Sequence, residues 1–575
     1  MRRLSGLGVH APFVFCLIAA FIAAQHWTGG LDWPCEEDFY RDMGFAQTIL
    51  DGRYGEDPFY LGGTVWYNPL VHALVALLTF VTGAPLEVVY TRAGAYLNLG
   101  VPITFYLLAV RLFGNVAGLF AAVGFLFLGD HSHVSYVNNA TYSPWLWPDN
   151  LAQGLFYATM IAFTSMSSAP VGTRVRKVWA AGTGALLGVA ALAHAAPGTL
   201  GAIVIAAVLL FRATKAHLES RSGELRYHLA ELVAIALTSM ATSSPFLIYI
   251  VGHALEGIHN WDPMTWEPEL LMWTHLPELL RAQLALKPIV ALIGGVLLVR
   301  TRDRFEPTHP SARPIFFVWV GTTIAFITYN DLAHAAMDTW RETWPILVGN
   351  WHFVLYTKAA ESLAFGVAAS VAWGRVKLSR ELSDRWVWVA AGVLALVHYP
   401  SYWNGQDLKG NHADASWWSS REVPTLIRWI RGNTHPDDVF LSSERQAVFT
   451  VGATGRKSVV LPTSFATPYV PHQPRAEAKL EMIARIETGE GVERLRELFA
   501  EYGVRFVILE PWSEKPRPFE LTSVHPSLSS LLRPRFSMER STGFLKGLGP
   551  DAPCSWERVG CQATAGRVEI YEVIP

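Results

Sequence analysis

Over its first 400 residues the chain alternates long apolar runs with short polar joints. Runs near 11–28, 88–110, 115–130, 150–167, 178–194, 197–212, 230–252, 284–300, 314–330, 351–373 and 386–402 each approach the ~20 residues a helix needs to cross a bilayer. A shorter run, PLVHALVALLTFVTG, covers 69–83. From Ser401 the pattern becomes mixed. A helix is expected at 421–432, strands at 439–441, 458–461, 504–510 and 567–573, and two helical stretches across 474–502, with Thr454-Gly455-Arg456 between the first two strands. Alternating strands and helices predict a small, largely parallel sheet. The expected architecture is a polytopic α-helical membrane domain of about eleven spans over 1–402, then a C-terminal α/β domain over 403–575.

The polar joints set the orientation. If 69–83 lies at the interface without crossing, the loops with Arg111, Arg174 to Lys177, Arg212 to Arg226, Arg300 to Arg313 and Arg375 to Arg385 share a side with Arg2 and Arg3. The opposite loops hold only Arg41, Arg53, Arg281 and Arg341, with a few more cations at span edges. A crossing at 69–83 would invert every later loop and violate the positive-inside bias. The first run follows Arg2 and Arg3 as a signal-peptide core would. No small-residue cleavage site follows, and Gln25, His26 and Trp27 read as an interfacial exit, so it is a retained span. The expected placement is multi-pass in the cell (inner) membrane, N-terminus inside, with the 29–87 loop and the C-terminal domain extracytoplasmic (periplasmic).

Composition supports this. Only 16% of residues are charged, against roughly 25% in soluble domains. The net charge of −2 leaves no nucleic-acid footprint. Four cysteines are too few for a disulfide scaffold; Cys554 and Cys561 either bridge in an extracytoplasmic domain or remain two thiols.

The candidate chemistry begins in residues 35–70, where nine ionisable side chains follow the first span directly. Phe39, Met43, Ala46 and Leu50 form the stripe of an amphipathic helix, expected on the outer surface, with Gly52 as its stop. Glu37 and Asp38 stand at its start, where a lipid head group and a water-borne acceptor meet. The plainer reading has these acids complementing the helix N-terminus, with Asp38 pairing to Arg41 at i,i+3.

The stretch DFYRDMGFAQTILDGRYGEDPFYLGGTVWYNPL resembles the first extracytoplasmic loop of GT-C glycosyltransferases, polytopic enzymes that take sugars from polyprenyl-phosphate carriers. The likeness continues through RLFGNVAGLFAAVGFLFLG (111–129) to SPWLWPDN, where Asp149 opens the next span much as the second acidic motif does in the oligosaccharyltransferase branch. The resemblance implies a polyprenyl-phosphate sugar donor, a glycan, lipid or protein acceptor, hexosyl or pentosyl transfer in cell-envelope glycan biosynthesis, and catalytic roles for Asp38, Glu37 and Asp149. Two departures bear on this. Asn150, not an acid, follows Asp149, and Trp417-Trp418 is followed by Ser419 where that branch carries a Trp-Trp-Asp peptide-recognition motif, which argues against peptide N-glycosylation.

Transfer from a lipid-phosphate sugar needs a base for the acceptor hydroxyl and positive charge for the departing phosphate. Asp38 is the candidate base, with Glu37 its nearest substitute. Candidate phosphate cations are Lys358, with His352 six residues earlier, then Arg341 and Arg92. Lys358 equally fits a lysine snorkelling to the interface, and Arg341 a partner of Asp338 or Glu342. His131 and His133 have H-x-H spacing and, with Asp149, suit a divalent cation (Mg or Mn); solvated loop histidines fit the same spacing. Two other functions compete: a lipid-linked saccharide transporter or flippase, and a non-catalytic scaffold of GT-C fold. Few charges lie mid-span and no inverted repeat is evident, against a carrier; acids at both expected places count against a scaffold.

Overall fold

The computed structural model describes residues 10–128, 142–260, 286–300, 305–340, 348–376, 380–419, 421–510, 520–539 and 567–574. The chain divides into two compact units. A helical unit comprises Met1–Gly30, Arg92–Leu247 and Met264–Asn411, and a sheet unit comprises Leu31–Thr91, Ile248–Pro263 and His412–Pro575.

Helices occupy every apolar run named above. Among the described residues, six helical stretches are long and apolar enough to cross a membrane: Ala11–Thr28, Leu86–Phe113, Arg174–Ala193, Ala195–Leu218, Ser222–Leu255 and Ala312–Ala333. The protein is a multi-pass membrane protein. Outward-facing Leu237, Met240, Leu292 and Leu396 are exposed, as a lipid-facing surface requires. Inside the helical unit, backbones approach through small residues, the usual device where lipid removes the hydrophobic drive between helices. A Cβ on Gly294 would come within 1.9 Å of the Ala364 carbonyl oxygen, and one on Gly366 within 2.2 Å of the Ala117 oxygen. The Pro148–Ser168 and Asn350–Gly374 helices are outside the six; they carry the buried polar groups described below.

Among the described residues the sheet unit holds five strands: β1 Val439–Leu441, β2 Lys457–Ser458, β3 Val504–Leu509, β4 Leu532–Glu539 and β5 Arg567–Val573, in the order β2-β1-β3-β5-β4. β1 pairs in parallel with β2 and β3, but β5 is antiparallel to both β3 and β4. The sheet is therefore mixed, not largely parallel. The β3 run VRFVIL is buried at every position but one, and helices His472–Thr488 and Val492–Tyr502 cover one core with Met482, Ile486, Leu495 and Phe499.

The first loop is part of this unit. Helix Glu37–Leu50 forms as its apolar stripe demands and ends where Gly52 adopts φ +74°, a conformation cheap only for glycine. It does not lie on the surface: every residue from Phe39 to Thr48 is buried. Gly44 allows this, because a Cβ there would stand 2.4 Å from the Gly452 oxygen. Beyond the helix, Arg456 lies 3.6 Å from Asp51, the Ser458 amide donates to the Phe59 oxygen at 2.8 Å, and the buried Lys457 amine donates to the Asp57 carbonyl. Helix Leu70–Thr82 buries Val71, His72, Val75 and Ala76 and exposes Leu77, Phe80 and Val81.

Candidate active site

In the helical unit, the SPWLWP segment aims its acid through local bonds. Asn98 donates its amide to the Ser143 and Trp145 oxygens at 3.0 and 2.7 Å, and the Trp145 indole donates to the Asp407 oxygen at 2.7 Å. Gly94 lets the strap pass close, since a Cβ there would meet the Pro144 oxygen at 2.3 Å. Pro148 then starts the helix at the position a proline favours, placing Asp149 in its first turn, where the helix dipole supports a negative charge.

Asp149 meets His352, whose Nδ1 lies 3.8 Å from its carboxylate. The His194 ring stands 4.4 Å from the His352 ring, centroid to centroid. His194 breaks the chain between Arg174–Ala193 and Ala195–Leu218 and caps the second helix: its Nδ1 accepts the Ala196 N–H at 3.2 Å. That bond leaves the proton of the neutral ring on Nε2. One turn below His352, Tyr356 is buried, within electrostatic reach of Asp149. Sequence reading singled out Asp149 and His352 and missed His194 and Tyr356. A lone histidine before Ala-Ala-Pro, between two apolar runs, was the available signal for His194.

Lys358 is buried in the same helix. Six residues separate it from His352, about one and two-thirds turns, so the two occupy different faces. Arg92 is half-buried at the end of Leu86–Arg92. Arg341, His131, His133, Cys554 and Cys561 lie outside the described residues. Among the described residues no group of three or more His, Cys, Asp and Glu side chains is arranged to hold a metal ion.

Asp38 and Glu37 belong to the sheet unit. The Asp38 side chain is 37% exposed and pairs with Arg41 at 2.9 Å, the i,i+3 contact its spacing allows. Arg41 turns also to Asp42 at 2.7 Å and lies over the Tyr67 ring at 4.4 Å. Burial pushes the Asp42 carboxyl above its usual range, against the pull of Arg41. Of the two carboxylates paired with Arg41, Asp38 is the exposed one and Asp42 is enclosed.

No family model matches the chain, and no curated protein matches it in sequence. Solved structures do. ArnT from Cupriavidus metallidurans in the apo state is 13% identical with a TM-score of 0.51, covering 88% of this chain and 94% of that one. The same protein bound to undecaprenyl phosphate matches with a TM-score of 0.48 at 14% identity, covering 78% and 85%. The Archaeoglobus fulgidus oligosaccharyltransferase in the apo form gives 0.45 at 13% identity, covering 86% and 69%. The chain shares the fold of the apo ArnT structure over most of both chains.

Proposed function

We propose that the protein transfers a sugar from a polyprenyl-phosphate-linked donor to a glycan, lipid or protein acceptor at the outer face of the inner membrane, with its C-terminal domain extracytoplasmic. One observation carries the reading. In a unit of mostly apolar helices, Asp149 stands 3.8 Å from His352, with His194 against that ring. Ionisable groups enclosed among apolar helices are costly and mark function by default. The GT-C fold supplies the reaction class by analogy, and the acidic loop after the first span agrees with it.

In such a transfer the acceptor hydroxyl oxygen attacks the anomeric carbon. The bond from that carbon to the carrier's phosphate oxygen breaks, leaving its electrons on the phosphate, and the hydroxyl proton passes to a base. Asp38 is that base: Arg41 fixes its orientation while its exposure admits an acceptor from water. Glu37, beside it, is the nearest substitute. Lys358 is the first choice to offset charge on the departing phosphate; His352, Arg341 and Arg92 are the remaining candidates. Asp38→Asn keeps the shape and removes the basicity. Transfer from a polyprenyl-phosphate sugar should fall at least 100-fold, on the scale of lost general-base catalysis, with the melting temperature unchanged. Wild-type turnover in that variant would remove Asp38 from the role.

A divalent cation at Asp149, His131 and His133 belongs to the same reading. Chelator should then abolish transfer and Mg2+ or Mn2+ restore it, whereas full activity in excess chelator would eliminate the ion.

A further inference from the structure

Below Asp149 runs a stripe of polarity that the transfer chemistry leaves unused. Asn150, Gln153 and Tyr157 recur at i, i+3 and i+7 along Pro148–Ser168, and Asp149, Gln153 and Tyr157 at i, i+4 and i+8. Tyr356, one turn beyond His352, lies within electrostatic reach of both Asp149 and Tyr157. Asn150, Gln153 and Tyr157 are fully buried and Tyr356 is 1% exposed. Yet, among the described residues, both polar atoms of each amide and both phenolic hydroxyls have no hydrogen-bond partner. Each such group costs roughly 1–3 kcal/mol while unmet, and several in one stripe point to a ligand that satisfies them. The surroundings are aromatic: Phe156 packs on Tyr356 at 5.3 Å and on Trp319 at 4.9 Å, and Tyr157 on Trp319 at 5.9 Å.

The chemistry of the stripe selects its occupant. A phosphate accepts hydrogen bonds only, and it favours cations. Amides and phenols offer donors and acceptors in similar numbers without charge, which matches hydroxyl groups, each able to give and receive. Asp149, at the upper end, adds an acceptor. From Asp149 to Tyr157 the stripe extends about 12 Å at ~1.5 Å per residue, enough for a sugar ring.

We propose that Asn150, Gln153, Tyr157 and Tyr356 form the subsite that recognises the hydroxyl groups of the donor's sugar and thereby select which sugar is transferred. This rests on the sugar-transfer reading above. The test uses the full chain in detergent and follows melting temperature with added undecaprenyl phosphate, and with the same carrier bearing glucose, mannose, galactose or arabinose. Wild type should bind at least one sugar-bearing carrier tenfold or more tightly than bare carrier. Gln153→Met and Tyr157→Phe should lose that increment, keep the response to bare carrier, and melt no lower than wild type without ligand, because each removes an unmet polar group. Variants that keep the increment, or that melt lower because internal water already satisfies these groups, overturn the subsite while the transfer reading stands. A wild type that binds bare carrier and prefers no sugar overturns it likewise. If wild type binds no carrier at all, the transfer reading and the subsite fall together.

Discussion

Asp57 is a side chain whose ionisation the fold resists. It is fully buried, its carboxylate accepts the Phe59 and Tyr60 amides at 2.6 and 3.2 Å, and burial still pushes its pKa up to about 6. The folded chain therefore holds this proton more tightly than the unfolded one, where an aspartate titrates near ~3.9. The protonated form contributes its full stability below about pH 4, and the contribution is lost as pH rises through about 6. Asp57→Asn retains an acceptor oxygen and removes the titration. Its melting temperature should exceed wild type at pH 7 and converge with it near pH 4; parallel curves across that range would refute the account. Lys358 makes a different case, since a buried lysine in a membrane unit ordinarily faces an anion. Lys358→Met should raise the apparent KM for lipid donor about tenfold with kcat nearly kept. An unchanged donor KM would take the phosphate contact away from it.

At the scale of elements, helix Glu37–Leu50 shows how a pattern is right in type and incomplete in meaning. Its length, its stripe and its glycine stop were legible, because they depend on local periodicity. Its enclosure was not. Burying Arg41 and Asp42 is tolerable only because they pair with each other, and Gly44 permits the close approach of Gly452. Gly44→Ala should therefore destabilise the sheet unit by about 1–3 kcal/mol, the range for overpacking, seen as a lower melting temperature. Gly223→Ala, where a Cβ meets nothing within 4 Å, serves as the neutral comparison. Strand β4 escaped the sequence for a related reason. It is an edge strand with mostly exposed positions and Pro534 in its middle, a composition that argues against a strand unless its outer side is unpaired. Within the candidate site, Asp149 stood out by its place at the start of a span after SPWLWP, and His352 by its position six residues before Lys358. Gln153 and Tyr157 did not, because single polar residues inside an apolar run resemble interruptions until the fold stacks them.

For the molecule as a whole, hydropathy foretold the helices, since crossing a bilayer is written in runs of consecutive residues. It carried no information about which distant pieces share a unit, a matter of contacts far apart in sequence. The sheet unit is assembled from Leu31–Thr91, Ile248–Pro263 and His412–Pro575. Asp51, Asp57 and Phe59 are synthesised early, while Arg456, Lys457 and Ser458, which bond to them, come late. About 320 residues separate the first piece from the third. At the ~5–20 residues per second of translation, the early loop waits roughly 15–60 s with its acids and its apolar stripe uncovered. During that interval the loop can bond only to the middle piece, where His253 reaches Thr64 and Val65, and a ribosome stalled before residue 412 leaves a chain whose spans are inserted but whose first loop still lacks Arg456, Lys457 and Ser458.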